Sequence, residues 1–343
     1  MSLADSVVFT QSPRLVYSST ESLSRVAFHP GSGALLAVGS ETRVQIISVS
    51  KDEDGRWTTA RAVARWSLFT DITSLAWSRR STETYFELVV ALASTNTLAV
   101  LTYSAELGAR VRPFGIGLTS GRIHEVQCGR TVGQQQLVAS VGDDGVLRLW
   151  DLAQEETPCR SILHPHPLRS VSFHPTNASQ LLTLDSRGYL RLWHWPSSTL
   201  LLSLTEPQSL SARGTRGDAA HGEWNSADGG ASLGAVIDGR WGVWDLRRLA
   251  GGNATGYGTA YGDECRGREV FGWNSRNPRQ FATLSTSPHA SALKIYTTSF
   301  PQAPRIVDVA PRPQQAQDMS WSPADDLIAV VVGHDLVLVD VAE

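Results

Sequence analysis

Lysine is almost missing. The 343 residues contain two, Lys51 and Lys294, and neither stands in the Gly-Lys-[Ser/Thr] sequence that a phosphate-binding loop requires. Cysteine is equally sparse: Cys128, Cys159 and Cys265 are odd in number and share no metal-like spacing. Buried or idle thiols in a reducing compartment are therefore expected, rather than a disulfide framework or a zinc site. Long apolar runs are lacking too, since stretches such as Leu327–Val332 fall far short of the roughly 20 residues of a membrane-spanning helix. The segment Met1-Ser2-Leu3-Ala4-Asp5-Ser6 has neither a basic nor a sustained apolar part, so no signal peptide is expected. An excess of one charge is also absent. With 30 basic and 33 acidic residues the net charge is −3, which leaves no electrostatic footprint for direct nucleic-acid binding or for an anionic membrane. Asn177-Ala178-Ser179 and Asn253-Ala254-Thr255 match a glycosylation sequon, which carries no weight without secretion. A nuclear or cytosolic chain is expected.

Recognisable catalytic motifs are scarce. There is no His-Glu-x-x-His pair, and no Gly-x-Ser-x-Gly nucleophile elbow is expected. The nearest approach to a metal cluster is His164-Pro165-His166-Pro167 with Cys159 nearby. Two histidines separated by a proline, with no carboxylate partner, read as a surface loop. No catalytic residue, cofactor or metal is expected.

What the chain does have is a repeat. Arg25-Val26-Ala27-Phe28-His29-Pro30 returns as Ser74-Leu75-Ala76-Trp77-Ser78, Ser170-Val171-Ser172-Phe173-His174-Pro175 and Asp318-Met319-Ser320-Trp321-Ser322-Pro323. Further copies centre on Trp224, Trp273 and, in degenerate form, Cys128, so seven anchors follow one another at spacings of 45 to 51 residues. Downstream of each lies a second column, of which Val146-Leu147-Arg148-Leu149-Trp150-Asp151-Leu152 is the template. Its second and fourth places are apolar in every copy, as in Val44/Ile46, Leu190/Leu192 and Leu336/Leu338. A period of two marks a strand. Its fifth place carries Trp150, Trp193 and Trp244, and the Trp-Asp dipeptide stands at Trp150-Asp151 and Trp244-Asp245.

Between the two columns an apolar run ends in Asp-Gly or Asp-x-x-Gly, the chemistry of a hairpin turn. Asp143, Asp144, Asp185 and Asp238 are read as turn-stabilising residues there, and His29 and His174 as strand-end residues of a recurring turn. A fourth strand follows each template, with candidates at 64–69, 159–163, 199–205 and 305–309. These features predict an all-β, seven-bladed WD-repeat-like β-propeller over residues 1–343. Its blades fall at 22–70, 71–119, 120–168, 169–206, 219–262, 268–310 and 315–343. The last blade lacks an outer strand, and one of the segments 6–10 and 14–17, within a closing stretch at 5–18, is expected to supply it and seal the ring.

Seven of the eleven tryptophans occupy the two columns: Trp77, Trp224, Trp273 and Trp321, then Trp150, Trp193 and Trp244. Fixed position in a repeat predicts that they fill space between blades, as Phe28 and Phe173 do, rather than form a ligand-stacking surface. A propeller enzyme working with axial carboxylates would need several Asp, Glu or His on the innermost strands. The anchors offer Phe28, Trp77, Cys128, Phe173, Trp224, Trp273 and Trp321 instead, which argues against one. Two Gly-rich, polar stretches, 207–221 and 249–268, break the rhythm and read as loop insertions. Arg213, Arg216, Tyr257 and Tyr261 are the candidate partner-binding residues within them. Arg216-Gly217-Asp218 is read as a coincidental tripeptide.

From Asp71 onward the chain resembles the small WD-repeat nucleoporin of the outer-ring, Y-shaped scaffold complex of the nuclear pore. The likeness rests on Leu163 to Arg248, with His174-Pro175, Gly188-Tyr189-Leu190-Arg191-Leu192 and Trp244-Asp245-Leu246-Arg247-Arg248. It continues through Phe271-Gly272-Trp273-Asn274-Ser275, Phe281-Ala282-Thr283 and Met319-Ser320-Trp321 to Val341. The insertions at 207–221 and 249–268 depart from the family pattern. The resemblance implies a nuclear-envelope location at the nuclear pore complex and a non-catalytic part in nucleocytoplasmic and mRNA transport. It implies docking on the large propeller-plus-solenoid nucleoporin of the short arm of the Y, beside other outer-ring nucleoporins. It transfers no catalytic residue. An adaptor in another assembly, such as a ubiquitin-ligase substrate receptor or a coat-like complex, is the alternative.

Overall fold

Apolar runs of about six residues, separated by turn residues, are too short for helices and fold as meanders. A computed structural model of the chain contains seven four-stranded antiparallel sheets. It describes residues 14–53, 57–130, 135–154, 157–205, 220–249, 252–260, 268–286, 291–310 and 314–341. The innermost strands are Leu23–Phe28, Ile72–Trp77, Ile123–Cys128, Leu168–Phe173, Ala220–Trp224, Glu269–Trp273 and Ala316–Trp321, each ending on its anchor. The outermost strands of blades 1 to 6 are Trp57–Ser67, Gly108–Phe114, Arg160–Leu163, Thr199–Thr205, Gly256–Thr259 and Arg305–Ala310. Among the described residues, no helix is long and apolar enough to cross a membrane.

The second strand of each blade lies between two neighbouring sheets. Leu35–Ser40, Leu137–Gly142, Ser232–Ile237 and Leu327–Val332 are buried at every residue, which is why they read as apolar runs rather than alternations. Blade faces meet in shared clusters. One joins Ile46 and Trp66 of blade 1 to Ile72, Trp77, Phe86 and Leu88 of blade 2.

Ring closure comes from Arg14–Ser18, which pairs antiparallel with Asp335–Asp340 and becomes the outer strand of blade 7. Ser18 Oγ donates to Asp335 Oδ1 at 2.6 Å. The other expected segment, 6–10, lies outside the described residues.

Two expectations need correction. The stretch 249–268 is not wholly a loop, because Gly256–Thr259 forms the outer strand of blade 5. Glycine lets that strand lie on an indole: a Cβ at Gly258 would stand 2.7 Å from Trp241 Cζ2. In blade 1 the outer strand begins at Trp57 and stops at Ser67, leaving Phe69 outside it, 89% exposed at φ 56°.

Candidate functional site: the axial channel

The inner strand of each blade pairs with its neighbour on one side only, so amides on its free edge need partners from elsewhere. Two columns of side chains, three residues and one residue before each anchor, supply them from the preceding blade. Asp318 Oδ2 accepts from Val26 N at 3.2 Å and Ser320 Oγ from Phe28 N at 3.1 Å, carrying blade 7 onto blade 1. Ser74 Oγ accepts from Val126 N at 3.0 Å, and Glu125 Oε2 from Val171 N at 2.9 Å. Ser170 Oγ accepts from Gly222 N at 3.2 Å, Nδ1 of the neutral His221 ring from Phe271 N at 3.4 Å, and Glu223 Oε1 from Trp273 N. Gln127 Oε1 accepts from Phe173 N in the same way. Where the column holds Arg25, the polarity reverses and its Nε donates to Thr73 O at 2.6 Å. Where blade 6 offers only Val270 and Gly272, the indole of Trp321 donates to Gly272 O at 2.9 Å.

These columns face the axis, so the channel carries Arg25, Glu125, His221, Glu223 and Asp318. This corrects the expectation drawn from the anchors. The anchors ring one mouth, around a cavity of about 380 Å³, while the charged residues of the inner strands sit behind them. The opposite mouth, a cavity of about 750 Å³, is lined by Arg122, His124, Asp143, Arg169 and Arg268.

His221 Nε2 lies 3.3 Å from Glu125 Oε1. Burial disfavours a charge on His221, but Glu125 and Glu223 outweigh it and hold its pKa above the usual histidine value. Burial likewise works against charge on Glu125, and is outweighed by His221 and by hydrogen bonds from His221, Ser170 and Val171 N, so its pKa falls. Glu223 is pushed up to about 7 by burial, with Glu125 adding to the rise and His221 opposing it. Burial and the nearby Arg268 bring Arg25 down to about 9, which leaves it charged at neutral pH.

The column tryptophans pack between blades. Trp77, Trp150, Trp193, Trp224, Trp244, Trp273 and Trp321 are all buried, as is Phe28, and Phe173 is half-buried. The indoles of Trp77 and Trp224 donate to Ala27 O and Ser172 O of the preceding blade. The aspartates of the Trp-Asp pairs cap the turns that follow: Asp151 Oδ1 accepts from Ala153 N, and Asp245 Oδ1 from Arg247 N. The residue after the anchor is also a cap, with His29, Ser78, His174, Asn225, Asn274 and Ser322 each accepting from the amide two residues on. Of the partner-binding candidates, Tyr257 is 65% exposed on the outer strand of blade 5. Arg213, Arg216 and Tyr261 lie outside the described residues.

Three further readings change. His164 is not a surface residue; it is 4% exposed, its Nε2 lies 3.1 Å from Thr183 Oγ1, and its ring meets Trp193 edge-on. Thr183 Oγ1 also accepts from the Trp193 indole, just as Ser140 Oγ accepts from Trp150, ten residues back in both blades. That Ser/Thr-to-Trp spacing is a signal the sequence offered. Asp144 and Asp185 do stabilise turns, but Asp143 turns to the channel mouth, where its Oδ1 lies 2.7 Å from His124 Nε2 and 2.8 Å from Arg169 Nη1. Finally, Gly230-Ala231-Ser232-Leu233-Gly234 has the spacing of a nucleophile elbow, which sequence reasoning missed. Ser232 opens a strand inside a sheet and is 9% exposed, without the strand-to-helix turn that presents such a nucleophile. Among the described residues no group of three or more His, Cys, Asp or Glu is arranged to hold a metal ion.

No protein-family model matches the chain. Among curated proteins it is 37% identical over 103 residues to nucleoporin Nup43 of Homo sapiens, covering 29% of this chain and 26% of that one. It is 34% identical over 131 residues to nucleoporin NUP37 of Chaetomium thermophilum, covering 30% and 17%. With nucleoporin Nup37 of Mus musculus the identity is 27% over 208 residues, covering 59% and 56%. The chain is similar to the small WD-repeat nucleoporins. It spans less than two thirds of each of these relatives' own length.

Proposed function

We propose that the chain is a non-catalytic scaffold subunit of the nuclear pore outer ring, which docks on the large propeller-plus-solenoid nucleoporin of the short arm of the Y. The nucleoporin relatives indicate the nuclear pore complex at the nuclear envelope as its location. The observation that carries the non-catalytic reading is the use made of the channel side chains. Asp318, Glu125, His221 and Glu223, the groups an axial active site would employ, accept hydrogen bonds from main-chain amides of the next blade. Such groups hold a ring rigid, and a rigid ring offers rims and faces large enough for interfaces of about 800 Å² per partner. Tyr257, at the rim of blade 5, is one candidate contact.

Affinity purification of the tagged chain from nuclei, with partners quantified by mass spectrometry, tests the reading. Stoichiometric outer-ring nucleoporins are expected. Recovery of cullin adaptors or coat subunits in their place would overturn it.

A further inference from the structure

An outer strand presents a row of unpaired amides and carbonyls, and natural proteins guard such edges with charge, proline or short length. The outer strands of this ring follow that rule with one exception. Arg14 stands in the closing strand of blade 7, Arg65 in the outer strand of blade 1, Arg112 in that of blade 2, Arg160 in that of blade 3 and Asp308 in that of blade 6. The outer strand of blade 5, Gly256–Thr259, is uncharged but only four residues long. The exception is Thr199–Thr205 of blade 4, seven residues with four leucines and no charge, proline or glycine.

The register of that strand shows which leucines the ring uses. Leu202 pairs with Leu192, and it packs with Leu204 into the cluster shared with blade 5. Leu200 pairs with Trp193, whose indole packs toward blade 3. The register shifts between these two pairs, so Leu201 is an extra residue without a partner on the neighbouring strand. Leu200 and Leu201 are 45% and 46% exposed, with Thr199 and Ser203 exposed beside them. Among the described residues, Thr199–Thr205 pairs only with Tyr189–His194, and its other edge meets no strand. On blade 5, Tyr257 is the register partner of Gly242, which lies against Trp244 in the cluster shared with blade 4. The exposed Tyr257 therefore projects from the side of its strand that faces blade 4.

We infer that the outer edge of blade 4 is a strand-addition site, which takes an extended, uncharged, aliphatic segment of a partner protein as a fifth strand. A row of main-chain donors and acceptors is matched by another main chain in extended form, and Leu200 and Leu201 by aliphatic side chains. A charged segment would lose solvation against leucines that offer its charges no partner. A second copy pairing edge to edge fits less well. Seven residues give a strip about 23 Å long and about 10 Å wide, on the order of 230 Å² per chain. A stable interface between two globular chains needs about 800 Å² per partner. A segment of a larger partner needs no such area of its own, because contacts elsewhere on that partner hold it at high effective concentration. The inference deepens the scaffold role proposed above and rests on it for the source of the segment, but the pairing is measured on the purified chain. Failure of nucleoporins to co-purify and failure of this edge to bind are therefore separate results.

The probe is a fluorescein-labelled peptide in which valines alternate with threonines. Its control has the same sequence with every central amide N-methylated, which leaves no donor for strand pairing on either edge. Saturable binding of the unmethylated peptide is expected, weakened at least tenfold by methylation. Leu200→Lys/Leu201→Lys should also weaken it at least tenfold with little change in melting temperature, because both side chains already reach solvent. Leu163→Lys, at an exposed leucine on the outer strand of blade 3, should bind as the wild type does. Absence of saturable binding, equal binding of the methylated peptide, or equal binding by Leu200→Lys/Leu201→Lys overturns the assignment. So does sedimentation showing the chain alone to be a dimer at micromolar concentration that the same double variant dissociates, since the occupant would then be a second copy.

Discussion

His221 Nε2 stands 3.3 Å from Glu125 Oε1 across the axis, joining the inner strands of blades 5 and 3, which share no sheet edge. With Glu223 beside it, the pair makes stability depend on pH. His221 has a raised folded pKa, so its contribution is complete below the unfolded value near 6.5 and is lost as pH rises through the folded value. Glu223 is raised to about 7 from 4.5, so its stabilised neutral form is likewise lost as pH climbs toward neutrality. Glu125 is lowered, and its contribution is present above about 4.5 and lost in acid. The urea midpoint should therefore fall between about pH 5 and pH 8, first as Glu223 and then as His221 loses its proton, by on the order of 1–3 kcal/mol in stability. Glu223→Gln, which keeps the acceptor for Trp273 N, should flatten the decline. A midpoint that rises over this interval contradicts the assignment.

Asp185 is wholly buried, and its Oδ2 lies 2.6 Å from Arg191 Nη1 while Oδ1 accepts from Arg187 N and Tyr189 N. Removing one member of such a pair leaves the other charge unpaired, so Asp185→Ala should cost about 3–5 kcal/mol in chemical denaturation. Replacing both, as Asp185→Ala with Arg191→Met, should recover part of that. A double variant no more stable than the single one would show that the turn amides, not the ion pair, set the cost.

Much of this architecture was legible because it repeats. The anchors and Trp150, Trp193 and Trp244 recur at fixed offsets, and the alternation around them places strands that the structure reproduces. The channel was not legible for the converse reason. Its column three residues before the anchor reads Arg25, Ser74, Glu125, Ser170, His221, Val270 and Asp318, with no common residue type. What unites the polar members is a backbone partner on the next blade of the ring, which a count of apolar residues does not register. His164 was misread because flanking prolines signal a loop locally, whereas burial is decided by Thr183 and Trp193 of the next blade. Phe69 was taken into a strand because it is apolar, and only the backbone shows it turned outward.

Trp244 is fully buried, and its indole lies over Gly242, where a Cβ would stand 2.7 Å from Cη2. Trp244→Ala should cost about 3–5 kcal/mol by leaving a cavity. Gly242→Ala should destabilise for the opposite reason, since the ring it would strike is rigid and enclosed. A loss below about 1 kcal/mol for Trp244→Ala would place the indole outside the core.

Closure by Arg14–Ser18 is the last relationship open to a direct test. This strand covers the outer edge of Asp335–Asp340, and Ser19 N donates to His334 O at 2.8 Å beyond its end. Deleting residues 1–19 removes every one of these bonds and exposes an edge rich in valine and leucine, a template for pairing with another chain. The truncated protein should melt earlier and elute as aggregates in size-exclusion chromatography. Supplying residues 14–19 as a separate peptide should restore the monomer in proportion to peptide concentration, because the strand is held by pairing and not by covalent continuity. If the truncated chain melts at the wild-type temperature and stays monomeric, blade 7 is stable with three strands and the ring does not depend on its N-terminal strand.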